Sequence, residues 1–569
     1  MAACPDILRG LRGCPVRSLL WPWGRGSAPQ RVRVGDDVLR DLELDRVVDA
    51  LAEARPDRRP AVLDAVACPP ADAKTVRWRA GATADLLESA VLCDRLDAAV
   101  RALRIMVAHR AQAFAKEVPH AARIGARVVE LGAYVEAVDL LAVALGGDGV
   151  RCAALTALRQ DVEAVTASAE FRALRAELPK WRHTLDEVRS VTVTINVSAA
   201  MEPESAVIVA FGPRQAEPAD AALTRLLGEE VGGRGVARLF RRQPVDWGGR
   251  GQTVADVQAL LEAVAAPVER ALTRFRMLNV QAVAHLEDEL VLLLGAARLG
   301  RRWRASGLPC CVAELQGDAG TGADLPGESF LESAFHPVLA AALPRAADLV
   351  CNDVAFGGAA GEGGRVWVLT GPNRGGKTSY LRAAGVAQVL GQCGLSVPAR
   401  RARLCLVDAV FTHFPAPEMG RAGKGRLDEE AVRTALVFDS CTPRSLVLLN
   451  EVLAGTSAPE GVALASDVLR GFRVLGCSVI YATHLHELAA RCGEINASVG
   501  GPGRVASLTV QVATDVRDGR SIRRPTYRVQ AGEPGGASFF ASEIARQHGI
   551  ALDQLLDRLR ARGVLPERP

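Results

Sequence analysis

RVWVLTGPNRGGKT, residues 365–378, is the stretch of this sequence that decides the fold. Residues 366–369 form an apolar run typical of a strand buried on both faces, and the residues after Thr378 have the pattern of a helix. Between them lies G-x-x-x-x-G-K-S/T, a loop whose backbone N–H groups and lysine can face phosphates. A chance match is the alternative in a chain with 54 glycines, but the flanking strand and helix favour a phosphate-binding loop.

This loop provides candidate ligands for a nucleotide and for Mg²⁺. The Lys377 ammonium can approach phosphates, and the Thr378 hydroxyl is an oxygen ligand of the kind that Mg²⁺ prefers. A P-loop alone predicts only binding, so the groups for chemistry must come from other strands. The predicted nucleotide-binding residues are Gly371, Pro372, Asn373, Arg374, Gly375, Gly376, Lys377, Thr378 and Ser379.

Two further apolar runs end in residues suited to catalysis. SLVLLNE, residues 445–451, has the pattern of a parallel strand that ends at Asn450 and Glu451. Because ligands gather at the carboxyl edge of such sheets, Glu451 is expected to be the general base for water. VIYAT, residues 479–483, would place His484 at the same edge, within reach of a γ-phosphate. A solvated glutamate and a structural histidine are the alternatives.

Composition limits the class of protein. A chain of 569 residues, 49% hydrophobic and 24% charged, predicts roughly two to four globular domains. The net charge of +4 gives no overall basic field, so any nucleic-acid contact must come from local patches. Thirteen scattered cysteines favour reduced buried thiols over a zinc site or disulfides. We find no secretory segment and no apolar run of the ~18 residues that a membrane span needs, which predicts a cytoplasmic protein.

Hydrophobic periodicity divides the chain into regions. SVTVTINVS, residues 190–198, alternates strictly and predicts a hairpin with residues 205–211. The apolar stripe across residues 268–308, which contain no proline, predicts a long helix that, if unbroken, would reach about 60 Å. The predicted regions are a poorly ordered tail (1–35), an all-α core (36–185), a β-hairpin with an arginine-rich module (186–250), a long lever-like helix with a linker (251–320) and an α/β domain with the P-loop (321–569).

Three motifs together resemble one known family. GPNRGGKT, TPRSLVLLNEVLAGTS and ATHLHELA, in this order and spacing, resemble the ATPase domain of the MutS mismatch-repair family, whose members are relatives of the ABC-type ATPases. The resemblance is strong across residues 330–550 and limited to the pattern of helices across residues 36–320. It implies a mixed fold that ends in an ABC-like P-loop ATPase domain. It also implies ATP hydrolysis with Mg²⁺ held by Thr378 and Asn450.

The same resemblance implies partners. It predicts a homodimer that closes on ATP, DNA as a ligand, and repair or recombination proteins as further partners. The residues expected at the dimer seam are Gly455, Thr456 and Ser457. The arginines expected to contact DNA phosphates, as the family's clamp does, are Arg234, Arg238, Arg241, Arg242 and Arg250. A solvated basic loop is the alternative for these arginines.

The sequence departs from the family pattern at two site positions. Asn450 stands where the family has Asp, which is expected to weaken Mg²⁺ binding while Glu451 retains hydrolysis. Gly425 aligns with the serine that the family inserts towards the partner's γ-phosphate. Lys424 or Arg426 could supply a cationic contact to the partner's nucleotide instead, or could form a solvated charged turn.

Two further departures concern recognition. A helical core that begins near Asp36 leaves no room for the family's mismatch-recognition domain, so direct mismatch reading is not predicted. Leu349, at the family's adenine-stacking position, offers apolar contact only. The sequence therefore predicts an ATP-driven dimeric DNA clamp of the MutS type. A nucleotide-gated assembly factor that acts on protein or structured RNA is the alternative.

Overall fold

The computed structural model has a mixed architecture, with helices in the first part of the chain and most of the sheet in the second. This mixed class is the one that the sequence predicted. The structure describes residues 16–22, 32, 34–187, 190–197, 199, 203–212, 251–275, 280–316, 327–357, 364–415, 426–453, 455–517, 520–532 and 552–562.

The first part of the chain folds into helices around one apolar core. Side chains cap several of them: Asp72 and Ser89 accept backbone N–H bonds at two helix N-termini, and Ser168 does so at a third. A short 3₁₀ turn, Pro56–Arg58, precedes the third helix. The helices are α1 (Asp36–Asp41), α2 (Leu44–Leu51), α3 (Arg59–Ala67), α4 (Ala73–Glu88), α5 (Ala90–Phe114), α6 (His120–Leu145), α7 (Ala153–Ala167) and α8 (Ala169–Asp186).

Part of the predicted tail is packed into this core. Within residues 1–35, the prediction of a poorly ordered tail is wrong for residues 16–22. The Leu19 side chain is fully buried there. The Ser18 hydroxyl and the Leu19 backbone N–H donate to the two carboxylate oxygens of Glu289, at 2.5 and 2.7 Å. The contact joins residues 270 positions apart, so no local sequence pattern could predict it.

The hairpin and the helices that follow it differ in part from the prediction. Strands β1 (Ser190–Val197) and β2 (Pro203–Gly212) pair antiparallel, as the alternation predicted. Helix α9 (Gly251–Thr273) is followed by α10 (Gln281–Ala284) and α11 (Leu286–Ala305). The predicted long helix is therefore interrupted, and the length of about 60 Å for an unbroken helix does not apply. Three acidic residues, 287–289, lie in the first turn of α11, where they interact favourably with the positive end of the helix dipole.

The second part of the chain alternates strands with helices. A 3₁₀ turn, Ala346–Asp348, lies between its first helix and the strand that follows. In chain order the elements are β3 (Cys311–Val312), β4 (Glu314–Leu315), β5 (Ser329–Ala334), α12 (Pro337–Ala342), β6 (Asn352–Phe356), β7 (Val366–Thr370), α13 (Lys377–Gln392), β8 (Ser396–Val397), β9 (Arg401–Leu404), β10 (Val410–His413), α14 (Arg426–Ser440), β11 (Leu446–Asn450), α15 (Ala458–Leu475), β12 (Ser478–Thr483), α16 (His486–Ala490), α17 (Cys492–Ser498), β13 (Val505–Arg517), β14 (Arg520–Ala531) and α18 (Leu552–Ala561).

Six strands form the main sheet, in the order β10-β11-β12-β7-β13-β14. The first five are parallel neighbours, and β14 pairs antiparallel with β13 at one edge. The three apolar runs identified in the sequence are the adjacent strands β7, β12 and β11. Because they run parallel, their carboxyl ends meet at the same edge of the sheet.

Both faces of the sheet are covered, which explains the continuous apolar runs. Along β11, Leu448 packs into the same core as Leu381 of α13. Its neighbour Val447 points to the opposite face and packs with Leu469 of α15. A strand with helices on both sides has no solvent face, so it needs no polar residues at alternate positions. Among the described helices, none combines the length and apolarity that crossing a membrane requires.

A second, smaller sheet and helix α1 lie against this layered region. The smaller sheet has the order β4-β9-β5-β6. Helix α1 ends at Asp41, whose carboxylate accepts hydrogen bonds from the Thr412 hydroxyl at 2.8 Å and from the Phe414 N–H and Arg433 at 3.3 Å. The backbone oxygen of Asp41 also accepts from Arg382 of α13 at 2.8 Å. The helical part is thus joined to the sheet through charged, buried contacts.

Candidate functional site

A lysine and a glutamate meet at the carboxyl edge of the main sheet. Lys377 is the first residue of α13, and residues 371–376 connect this helix to β7. Glu451 directly follows β11. Nζ of Lys377 lies 3.7 Å from Oε1 of Glu451. The Glu451 backbone N–H donates to the Ala482 oxygen of β12 at 2.8 Å. The structure therefore brings together Lys377, predicted for phosphate binding, and Glu451, the predicted general base.

The loop between β7 and α13 depends on glycine. Gly376, at the start of α13, has a φ of 92°, a left-handed conformation that glycine adopts without strain. A Cβ at Gly371 would lie 2.8 Å from the Val510 side chain of β13. Asn373 and Arg374 are exposed at the tip of the loop. Its tight path brings the unpaired N–H groups at the N-terminus of α13 to the sheet edge, where they can bind an anion.

The Lys377 ammonium is a buried cation with weak partners. Its side chain is 5% exposed, and Nζ donates to the Gly371 and Pro372 oxygens at 3.0 and 3.3 Å. Burial lowers the pKa of Lys377, and the Glu451 carboxylate opposes that shift. A phosphate oxygen would be a stronger acceptor than either carbonyl because it is charged.

Thr378 and Asn450 place two oxygen atoms side by side. Oγ1 of Thr378 lies 3.5 Å from Oδ1 of Asn450, which is buried. Hydroxyl and amide oxygens suit Mg²⁺, which usually takes few protein ligands and completes its shell with phosphates and water. The described residues contain no group of three or more His, Cys, Asp and Glu side chains that could hold a metal ion. The pair therefore offers two oxygen atoms of the kind that Mg²⁺ binds.

Glu451 begins a strained turn. Glu451 and Leu453 have φ values of 52° and 61°, a left-handed conformation that costs roughly 1–3 kcal/mol in a residue other than glycine. Val452 and Leu453 are buried, whereas the Glu451 side chain is 35% exposed. The strain persists because the surroundings hold the turn, and it fixes the direction in which Glu451 leaves the strand.

A cavity of about 420 Å³ adjoins the loop. Its volume lies within the range of roughly 300–1,000 Å³ that is typical of small-molecule sites. Loop residues, including Ser379, and Glu451 line one side of it. The lining residues from other parts of the chain include Phe335, His336, Leu339, Leu349, Asn352 and Tyr527.

Asn352 fixes the edge strand β14 beside this cavity. Its Nδ2 donates to the Tyr527 oxygen at 3.0 Å, and its Oδ1 accepts from the Val529 N–H at 2.7 Å. Tyr527 has a φ of 60° and a side chain that remains accessible. Sequence reasoning missed Tyr527; its one signal is that aromatic residues make up only 4% of the chain.

Comparisons with known proteins find similarity over the part of the chain that contains this site. Residues 367–521 match the family described as MutS domain V. The C-terminal part of the chain therefore belongs to the MutS family. The DNA mismatch repair protein MutS of Anaeromyxobacter dehalogenans (strain 2CP-1 / ATCC BAA-258) is 37% identical over 236 residues, 40% of this chain and 25% of that protein.

Two other MutS relatives show similar coverage. The DNA mismatch repair proteins MutS of Caulobacter sp. (strain K31) and Rhodopseudomonas palustris (strain HaA2) are 32% and 31% identical over 243 and 245 residues. Each match covers 42% of this chain and 26% of the relative. The chain thus spans about a quarter of the length of these MutS relatives.

Two histidines follow β12 within the MutS domain V match. His484, the predicted residue, is exposed, whereas His486 is half-buried at the start of α16. Burial lowers the pKa of His486, and the charges of Lys377 and His484 lower it further. Nδ1 of His486 is buried without a hydrogen-bond partner in the described part of the chain. Sequence reasoning missed His486, although both histidines stand in the motif ATHLHELA.

The seam predicted from the MutS resemblance lies on an exposed loop before α15. Gly455 and Ser457 are exposed, and Thr456 lies between them. The hydroxyls of Thr456 and Ser457 both donate to Oε2 of Glu460. The loop is therefore accessible and held in a defined shape.

Other residues predicted from the MutS resemblance lie outside the described residues. For Arg426 the structure describes only the backbone, at the start of α14. The predicted residues outside the description are Lys424, Gly425, Arg234, Arg238, Arg241, Arg242 and Arg250.

Proposed function

We propose that this chain is a Mg²⁺-dependent ATPase of the MutS type, with an ABC-like P-loop domain. The observation that carries the proposal is the 3.7 Å approach of Lys377 to Glu451 beside a cavity of about 420 Å³. A cation for phosphate and a carboxylate for water are the two groups that ATP hydrolysis requires from the chain. The match to MutS domain V supports the same reaction class.

Each predicted residue has a role in this proposal. The N–H groups of the loop and the Lys377 ammonium bind the triphosphate. Thr378 and Asn450 hold Mg²⁺, which supplies charge neutralisation on the phosphates when bound. Glu451 orients a water molecule and accepts its proton, and His484 donates a hydrogen bond to the γ-phosphate.

The cavity suits the adenosine part of ATP. Leu349 and Tyr527 both line it, and an aromatic ring that stacks on a purine stabilises it through its face. We propose that Tyr527 supplies the stacking contact that Leu349 cannot make. The two side chains come from opposite ends of the α/β region, so the base would bind where the smaller sheet faces β14.

We further propose that ATP controls a dimer that binds DNA. The matched relatives are named DNA mismatch repair protein MutS, which supports DNA as the ligand. In this dimer Gly455, Thr456 and Ser457 would lie at the seam. Lys424, Gly425 and Arg426 would approach the partner's nucleotide, and the arginine-rich stretch would contact DNA phosphates. Hydrolysis would then change the grip on DNA.

The first test measures ATP hydrolysis by purified protein with Mg²⁺. Lys377→Ala is expected to abolish measurable nucleotide binding and turnover because it removes the buried cation at the phosphates. Lys180→Ala is the matched control, since Lys180 is 69% exposed and forms an ion pair with the helix neighbour Glu177. Equal turnover in wild type and Lys377→Ala would contradict the proposal.

The second test measures binding to duplex, branched and mismatched DNA at two salt concentrations. A clamp that contacts phosphates is expected to bind, with an affinity that falls steeply as salt rises. Binding at neither concentration would contradict the DNA proposal and would leave an assembly factor for protein or RNA as the better description.

A further inference from the structure

Three hydrogen bonds hold the turn that carries Glu451. The Glu451 N–H donates to the Ala482 oxygen at 2.8 Å, and the buried Tyr481 hydroxyl donates to the Val452 oxygen at 2.5 Å. Both of these partners lie on β12. The third bond comes from another element: the Leu453 N–H donates to Oε2 of Glu430 at 2.9 Å.

Glu430 belongs to α14, outside the strands that form the site. Glu430 is partly buried, and Leu453 is 4% exposed. The Leu453 N–H therefore has little access to water, so the carboxylate matters for the turn. Leu453 is also left-handed, and a strained conformation of this kind lasts only where neighbours hold it.

The rest of the same helix face anchors α14. Thr434, one turn after Glu430, lies 3.3 Å from the His413 ring at the end of β10. Arg433 donates to the Thr412 oxygen and pairs with Asp41. The helix is thus anchored within one turn of Glu430 on its C-terminal side, and the Glu430 carboxylate extends from there to the Leu453 N–H.

We propose that Glu430 is a positioning residue for the ATPase reaction: it holds the left-handed Leu453 and thereby sets the direction of the Glu451 carboxylate. This role rests on the proposed function, in which Glu451 acts on water. Glu430 is not among the residues that line the cavity. Loss of its hydrogen bond would let the turn relax, and the base would no longer stand in line with the γ-phosphate.

The test compares Glu430→Ala, Glu430→Gln and Glu429→Ala by steady-state ATP hydrolysis and by nucleotide binding. Glu430→Ala is expected to lower kcat roughly 10- to 100-fold, because small misplacements of a catalytic group have effects of this size. The Kd for ATP should change less than roughly twofold, since the triphosphate ligands are untouched. Glu430→Gln should restore turnover because its amide oxygen can accept the same hydrogen bond. Glu429 is exposed on the same helix and serves as the matched control.

A second variant addresses the case in which Glu430→Ala does not fold. Tyr481→Phe removes only the hydroxyl bonded to the Val452 oxygen. A lower kcat with unchanged ATP binding would support the role of the turn, and unchanged kcat would overturn it.

The remaining outcomes separate the two proposals. Wild-type turnover together with full turnover in Glu430→Ala would overturn the positioning role alone. Equal losses in Glu430→Gln and Glu430→Ala would also overturn it, because the hydrogen bond would then not be the cause. A wild-type protein that binds ATP without hydrolysing it would overturn the proposed function and the positioning role with it.

Discussion

The Asn450 side chain has an oxygen that suits the proposed Mg²⁺ site, but it lacks the charge that would strengthen binding. Its amide oxygen lies beside Thr378 and can accept a hydrogen bond from a metal-bound water. It carries no charge, however, and hard divalent cations bind more tightly as the number of charged ligands rises. The proposed Mg²⁺ site therefore carries less negative charge than a carboxylate at this position would give.

Asn450→Asp is expected to lower the Mg²⁺ concentration needed for half-maximal ATP hydrolysis. A carboxylate at this position adds at least about 1 kcal/mol of attraction, which corresponds to roughly fivefold in affinity. The measurement is turnover against Mg²⁺ for both proteins, with nucleotide binding in the absence of Mg²⁺ as the control. Superimposable Mg²⁺ curves would show that the residue does not approach the metal.

The sequence could predict that Lys377 and Glu451 lie close together, but it could not predict the residues that line the cavity beside them. Lys377 and Glu451 follow apolar runs directly, and the ends of parallel strands meet, so their proximity was predictable. Tyr527 and His336 reach the cavity through pairing and packing of distant segments, which no local pattern encodes. The contact of Glu430 with Leu453 was also not predictable, because a glutamate in the first turns of a helix normally indicates only a charged surface.

Among the structural elements, α1 connects the helical part to the region of the proposed nucleotide site. Its last residue, Asp41, is 5% exposed and contacts β10, α13 and α14 at once. These are the elements around Glu430 and after the P-loop. A displacement of α1 would therefore affect both α13, which follows the P-loop, and α14, which carries Glu430.

Asp41→Ala is expected to lower the free energy of unfolding by about 2–4 kcal/mol. The change leaves the buried Thr412 hydroxyl and part of the Arg433 charge without their acceptor. Asp37→Ala is the control: Asp37 also pairs with Arg433, but its side chain is 56% exposed, so the cost should stay below about 1 kcal/mol. Urea denaturation of both variants checks the difference, and equal stabilities would contradict the role of Asp41.

The region from α9 to α11 shows that hydrophobic periodicity alone does not locate the ends of helices. Apolar residues recur at helical spacing throughout residues 268–308, and this periodicity alone predicted one helix. Periodicity reports which face is buried, and it continues across a break when both helices pack on the same core. The start of α11 had a separate signal, the acidic residues 287–289, which the periodicity did not include.

For the whole molecule, two buried histidines make stability depend on pH. Burial and nearby arginines lower the pKa of His336 and of His413 from 6.5 to about 4. Arg382 acts on the first ring and Arg433 on the second. As the pH falls, the unfolded chain binds protons before the folded one does. The contribution of the two neutral histidines to the free energy of unfolding is therefore complete above pH 6.5 and is lost as the pH falls towards 4.

His413→Gln is expected to reduce this pH dependence. The lowered pKa of His413 corresponds to about 3 kcal/mol between its two protonation states. The apparent free energy of unfolding of the variant should thus fall by about 3 kcal/mol less than that of wild type between neutral pH and pH 4. His183→Gln, at a side chain that is 79% exposed, is the control. Parallel pH profiles for wild type and His413→Gln would contradict the prediction.

The cavity has walls from Phe335 near the start of the α/β region and from Tyr527 near its end. A growing polypeptide on the ribosome has no such enclosure until β14 has emerged and paired with β13. If the cavity binds nucleotide as proposed, nucleotide could therefore stabilise this region only after β14 has been synthesised and has paired with β13.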